Sequence, residues 1–120
     1  MGAFFLLRMN DHVQYLNRIK ATLEGRGDFQ GSDHHSCKLG KWLDTDGPAE
    51  AAGLGPEAQA AFAALIEPHQ RFHEASNQAL GLRAAGDTAG CEAQVTEMHR
   101  LSATLVGTLL KMDGLAAGKK

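Results

Sequence analysis

His69 and His73 stand four residues apart, so on a helix their imidazoles lie one above the other on a single face. That face is also an apolar stripe, flanked by Phe62, Ile66 and Leu80, which points the rings toward a core. His12 holds the same kind of position on an earlier stripe. A single His on an apolar face is more often a core residue satisfied by a carbonyl, and a His pair at this spacing also arises by chance. Three imidazoles converging on one interior, with no carboxylate in either stripe, are costly unless something satisfies them. A metal ion does so.

Cys37 adds a fourth donor of a different kind. One thiolate with three neutral imidazoles makes a tetrahedral set suited to Zn2+, with Zn–N near ~2.0 Å and Zn–S near ~2.3 Å. As the first residue of a short helix, Cys37 would sit where the helix dipole lowers a thiol pKa. Cys91 continues a regular apolar stripe and reads as a small buried hydrophobe. Two cysteines make no disulfide framework, although a single bridge between them is conceivable. His34 and His35, beside Cys37, read as solvent-exposed, with ligation the alternative. His99 falls one residue off the last stripe, at a bundle edge or on the surface.

These residues need helices to position them. Alanine and leucine are abundant and β-branched residues few, which favours an all-α fold. Three segments carry stripes with alternating spacings of four and three. The first runs Phe5, Met9, His12, Leu16, Ile19 and Leu23; the second Phe62, Ile66, His69, His73, Ser76 and Leu80. The third runs Cys91, Val95, Met98, Ser102, Leu105, Leu109 and Met112, ending at Gly114. Such stripes suit near-antiparallel bundle packing.

The connection over residues 25 to 56 is long for so small a chain, and such loops usually have a function. Within it, Ser36 to Leu43 reads as a short helix with Ser36 as N-cap and Leu39, Trp42 and Leu43 on one face. Pro56 starts the second long helix, and Pro68 should bend it just before His69. A tight turn over residues 84 to 88 leads to the last helix, capped by Asp87 or Thr88.

The 120 residues allow one domain, 1–120, with a single core. The formal charge is −2, and the twelve Lys and Arg residues form no basic stripe, so nucleic acid is not an expected partner. Lys119 and Lys120 read as a solvated tail. The apolar opening Gly2 to Leu7 has no basic stretch before it and no small-residue cleavage site after it, so no signal peptide and no membrane association are expected. The domain reads as cytoplasmic, where thiols stay reduced.

Other metal chemistries lack their signatures. There is no His-Glu-x-x-His for a zinc protease, no Glu-x-x-His for a carboxylate-bridged di-iron bundle, and no Cys-x-x-Cys-His for covalent haem. A mononuclear zinc hydrolase would need an open coordination position and a general base, and neither stripe offers a carboxylate.

Asp11-His12 on an amphipathic helix, then Cys37-Lys38-Leu39-Gly40-Lys41-Trp42, then Pro68-His69-Gln70-Arg71-Phe72-His73 resembles the chemoreceptor zinc-binding (CZB) domain of bacteria. The Cys-x-Leu-Gly-x-Trp element is the specific part, and the resemblance covers roughly residues 9 to 112, the core of the domain it implies. The resemblance implies an antiparallel four-helix-type bundle with a short extra helix carrying the Cys ligand, and zinc held by His12, Cys37, His69 and His73. It further implies a sensory role, responding to zinc or to oxidation of the Cys ligand by oxidants such as hypochlorous acid. A homodimer and a signalling partner or output domain, a diguanylate cyclase or chemoreceptor, are implied as well. No output domain accompanies this segment, so it is either a free-standing module or a piece of a longer chain. It also lacks the first-helix Trp that many relatives carry, and Tyr15 is placed to take that packing role. Structural zinc in an adaptor bundle is the alternative to sensing.

Overall fold

The computed structural model describes residues 3–118, with side chains from Phe5 onward. The Lys119–Lys120 tail and Gly2 lie outside them. Five helices follow one another: α1 (Ala3–Leu23), α2 (Lys38–Asp44), α3 (Gly47–Leu54), α4 (Pro56–Ala84) and α5 (Thr88–Gly118). The fold is all-α. One apolar cluster draws on all five, from Phe5 and Ile19 through Leu39, Ala51 and Leu65 to Leu105 and Met112.

Contacts along the chain set the directions. Phe72 meets His12, and Arg83 Nε donates to the Leu23 carbonyl at 2.9 Å, so α1 and α4 run the same way. Arg71 pairs with Glu97 and His12 meets Ser102, so α5 runs against both. Phe5 packs edge-on against Trp42, and Trp42 against Phe62, so α2 and α3 together also run against α1 and α4. The tandem of short helices therefore takes the place of the second helix in an up-down bundle. Helix α3 has no apolar stripe of its own, which is why periodicity did not announce it.

The stripes hold with adjustments. On α5, Met98, Ser102, Leu105, Leu109 and Met112 are buried, while Cys91 and Val95 are half-buried near its start. The helix runs past Gly114 to Gly118. On α4 the expected Ile66 is 45% exposed, and Leu65, fully buried, takes its place. A 3.6-residue period drifts against a strict four-three spacing, so over a helix this long the buried face moves by one residue. Helix α4 continues unbroken through Pro68. Asp87 Oδ1 accepts from the Gly90 amide at 2.9 Å and caps α5.

Helix α2 is held against the preceding loop by a missing side chain. A Cβ on Gly40 would lie 1.8 Å from the His34 carbonyl oxygen and 2.9 Å from its carbon, so only glycine admits this approach. A Gly40→Ala variant should push α2 off the loop and lower unfolding free energy by roughly 1–3 kcal/mol, the range for overpacking. Gly53→Ala, with nothing within 4 Å of the new Cβ, should leave stability equal or slightly higher. Denaturant midpoints of the two variants check this. Equal midpoints would show that the Gly40 contact constrains nothing.

Candidate metal centre

The loop and α2 bring a thiol to the two imidazoles of α4. Ligand atoms of Cys37, His69 and His73 all lie within 4.8 Å of one another. His69 Nε2 is 3.3 Å from Cys37 Sγ, and the His69 and His73 rings meet edge-on at 4.8 Å between centroids. His69 and His73 are buried; Cys37 is half-buried, at the outer edge of the cluster. No carboxylate joins this group among the described residues.

His12 is buried beside the cluster but not within it. Its ring packs edge-on against Phe72 at 4.6 Å, and its Nε2 lies 2.9 Å from Ser102 Oγ on α5. With Nε2 engaged there, Nδ1 is the nitrogen left for a metal. The structure thus groups three of the four expected ligands, with the fourth next to them and bonded elsewhere.

Cys37, rather than Ser36, is the N-cap of α2. Its sulfur accepts from the Gly40 amide at 3.2 Å. Ser36 instead belongs to the turn closed by Asp33, whose Oδ1 accepts from the amides of His35 and Ser36. The dipole argument for a lowered thiol pKa is outweighed. Burial pushes the Cys37 thiol up, and the amide hydrogen bonds only partly offset it. A cation would be needed to hold the thiolate.

The histidines are tuned toward the neutral, ligating form. Burial, with a smaller contribution from His73, lowers His12 to about 4. Burial and the neighbouring histidines lower His69 to about 3. Burial also lowers His73, against the raising effect of its bond to Ser32. His73 Nδ1 donates to the Ser32 carbonyl at 3.0 Å, which leaves Nε2 for the cluster.

Sequence reasoning missed Ser32. Its amide donates to Tyr15 Oη at 2.8 Å, and its carbonyl also accepts from Asn77 Nδ2 at 3.2 Å. Gly31, at φ +81°, lets the chain turn there, and a Cβ on it would strike Asn77 Oδ1 at 2.4 Å. The only forewarning was the glycine. Tyr15 is buried and packs edge-on against Phe29 and Phe72, the packing role expected of it, and it clamps the loop besides.

The other titratable neighbours stay outside. His34 is half-buried, with its ring 6.1 Å from that of His69, while His35 is exposed and pairs with Asp44 at 2.7 Å. His99 is exposed, and both cysteines are free. The donor set fits zinc: a soft sulfur and buried, neutral nitrogens.

The family model of the chemoreceptor zinc-binding domain matches residues 12–80, more than half of the chain. The chain belongs to that family. The match begins on His12 and spans Cys37, His69 and His73, whereas α5 lies outside it. CZB domains are sensory and zinc-binding rather than catalytic. No curated protein and no solved structure matches the chain. No described helix is long and apolar enough to cross a membrane.

The lowered imidazoles make the metal-free bundle acid-sensitive. The unfolded chain takes up protons near the ordinary histidine value of 6.5, whereas folded His12 and His69 wait until about 4 and about 3. Stability is therefore full above that ordinary value and declines as pH falls toward the folded values. With chelator present, the thermal midpoint should drop between pH 7 and about 5, above the ordinary carboxylate range. His12→Gln should flatten the dependence. A wild-type midpoint constant across that window would contradict it.

Proposed function

We propose that this CZB domain is a sensor in which Zn2+, held by His12, Cys37, His69 and His73, couples zinc availability or the oxidation state of Cys37 to helix arrangement. The observation that carries the reading is the convergence of Cys37, His69 and His73 from two separately held elements, α4 and the loop-α2 segment. Zinc would supply the positive charge that keeps Cys37 as thiolate and ties α2 to α4. His12 Nδ1, with Nε2 already engaged by Ser102, completes the set from α1.

Exposure distinguishes the four residues. Cys37, half-buried, borders a cleft of about 310 Å³, lined by Tyr15, Arg18, Ser32, Lys38 and Lys41 among others, which is the side a small reagent would approach from. The three imidazoles are buried. A two-electron oxidant such as hypochlorous acid would meet the sulfur first. The thiolate takes up the OH group of the acid to become a sulfenic acid, and chloride leaves with the electron pair. The oxidised sulfur is a poorer ligand, and the α2 arm loses its tie to α4.

The loosened arm changes the surface presented to a partner, since a bundle of fixed shape transmits nothing. We assign that partner role to a second copy of the chain, in a homodimer, and to a diguanylate cyclase or chemoreceptor as output. The domain then works in the cytoplasm and without catalysis of its own.

Purified protein should carry one zinc per chain, and Cys37→Ala and His73→Ala should each lose most of it by metal analysis. Unchanged zinc content in both variants would sink the assignment. Chelator or hypochlorous acid should then alter the helix content or oligomeric state of the wild type. Indifference to both would leave the zinc a structural role only.

A further inference from the structure

Helix α5 contributes no residue to the Cys37, His69 and His73 cluster, yet one of its side chains reaches His12 beside it. Ser102 Oγ lies 2.9 Å from His12 Nε2, with Ser102 7% and His12 3% exposed. Among the described residues this is the one side-chain hydrogen bond between α1 and α5. Ser102 also lies outside the residues matched by the family model.

A neutral imidazole carries one proton, and its position decides what His12 can do. With the proton on Nε2, the ring donates to Ser102 Oγ, and Nδ1 has a free lone pair. With the proton on Nδ1, Nε2 accepts from the Ser102 hydroxyl, and neither nitrogen is available to a metal. Only the first arrangement ligates. Interchange moves the proton from Nδ1 to Nε2 by way of solvent and turns the hydroxyl about, with no change in net charge.

We propose that Ser102 is the positioning residue for the His12 ligand, and that through it metal occupancy reaches α5. The inference rests on the zinc reading above. It goes beyond that reading by naming the helix that feels the metal and the atom pair that conveys it. A ligating histidine whose second nitrogen is held by a buried partner keeps its tautomer and orientation, and losing such a partner weakens metal affinity by roughly 10–100-fold.

Zinc affinity by chelator competition, compared across wild type, Ser102→Ala, Ser102→Thr and Cys37→Ala, tests this alongside nitrogen NMR of the His12 ring. Ser102→Ala should bind zinc about 10–100-fold more weakly, and Ser102→Thr, which keeps the hydroxyl, should stay close to wild type. In the zinc-loaded wild type, Nε2 should carry the proton and Nδ1 the metal. Zinc should slow amide exchange around Ser102 in wild type and not in Ser102→Ala. A metal on Nε2 in the wild type overturns the inference without recourse to any variant. So does an affinity of Ser102→Ala within about twofold of wild type, while Cys37→Ala still abolishes binding. If Cys37→Ala binds zinc as wild type does, the zinc site itself is wrong, a separate failure.

Discussion

Three imidazoles and a thiol gather midway along a small bundle with no carboxylate among them, and the rest of this structure answers to that burden. An unpartnered polar atom in a bundle interior is costly, and a charged one more so. The protein deals with each ring in halves. Ser102 takes Nε2 of His12 and the Ser32 carbonyl takes Nδ1 of His73, which leaves the other nitrogen of each ring for the metal. Burial keeps the rings neutral. What remains are inward lone pairs and a thiol that offer one another nothing better than the 3.3 Å approach of Cys37 and His69. A divalent cation such as zinc would satisfy the grouped donors of Cys37, His69 and His73 at once.

The loop between α1 and α2 exists to meet that demand. Two glycines without room for a Cβ shape it: Gly31 turns the chain so that Ser32 faces His73, and Gly40 lets the His34 carbonyl settle onto α2. Tyr15 and Asn77 then grip Ser32 from α1 and α4. Cys37 is fixed by the same economy, since its sulfur caps α2 through Gly40 while facing His69. The fold of the loop and the geometry of the site are one problem with one solution.

The legible parts of the sequence were those where a period repeats. His69 and His73 sit on a helix long enough that their direction follows from their neighbours, and His12 likewise. Where the signal depends on drift, the reading slips by one residue, as Ile66 and Leu65 show. Cys37 was legible only through its resemblance to a family motif, because a seven-residue helix carries too little pattern to fix a direction. Ser32 was not legible at all. Its contribution is a backbone carbonyl, which every residue has, and only the fold decides which carbonyl meets an imidazole.

The four candidate ligands also differ in how rigidly they are carried, and that difference gives the site a direction. His69 and His73 ride one continuous helix of 29 residues, so their mutual geometry survives whatever happens nearby. His12 rides a second long helix and is braced from the third. Cys37 alone is carried at the head of a short arm, helix α2 of seven residues, held to the bundle by buried Leu39, Trp42 and Leu43 and by a glycine-shaped loop. Strain or loss of a ligand is absorbed where the structure is softest. Removing the metal, or spoiling the sulfur, should therefore leave the α1, α4 and α5 core standing and release the α2 arm. The least buried donor and the one carried on the shortest element are the same residue, Cys37.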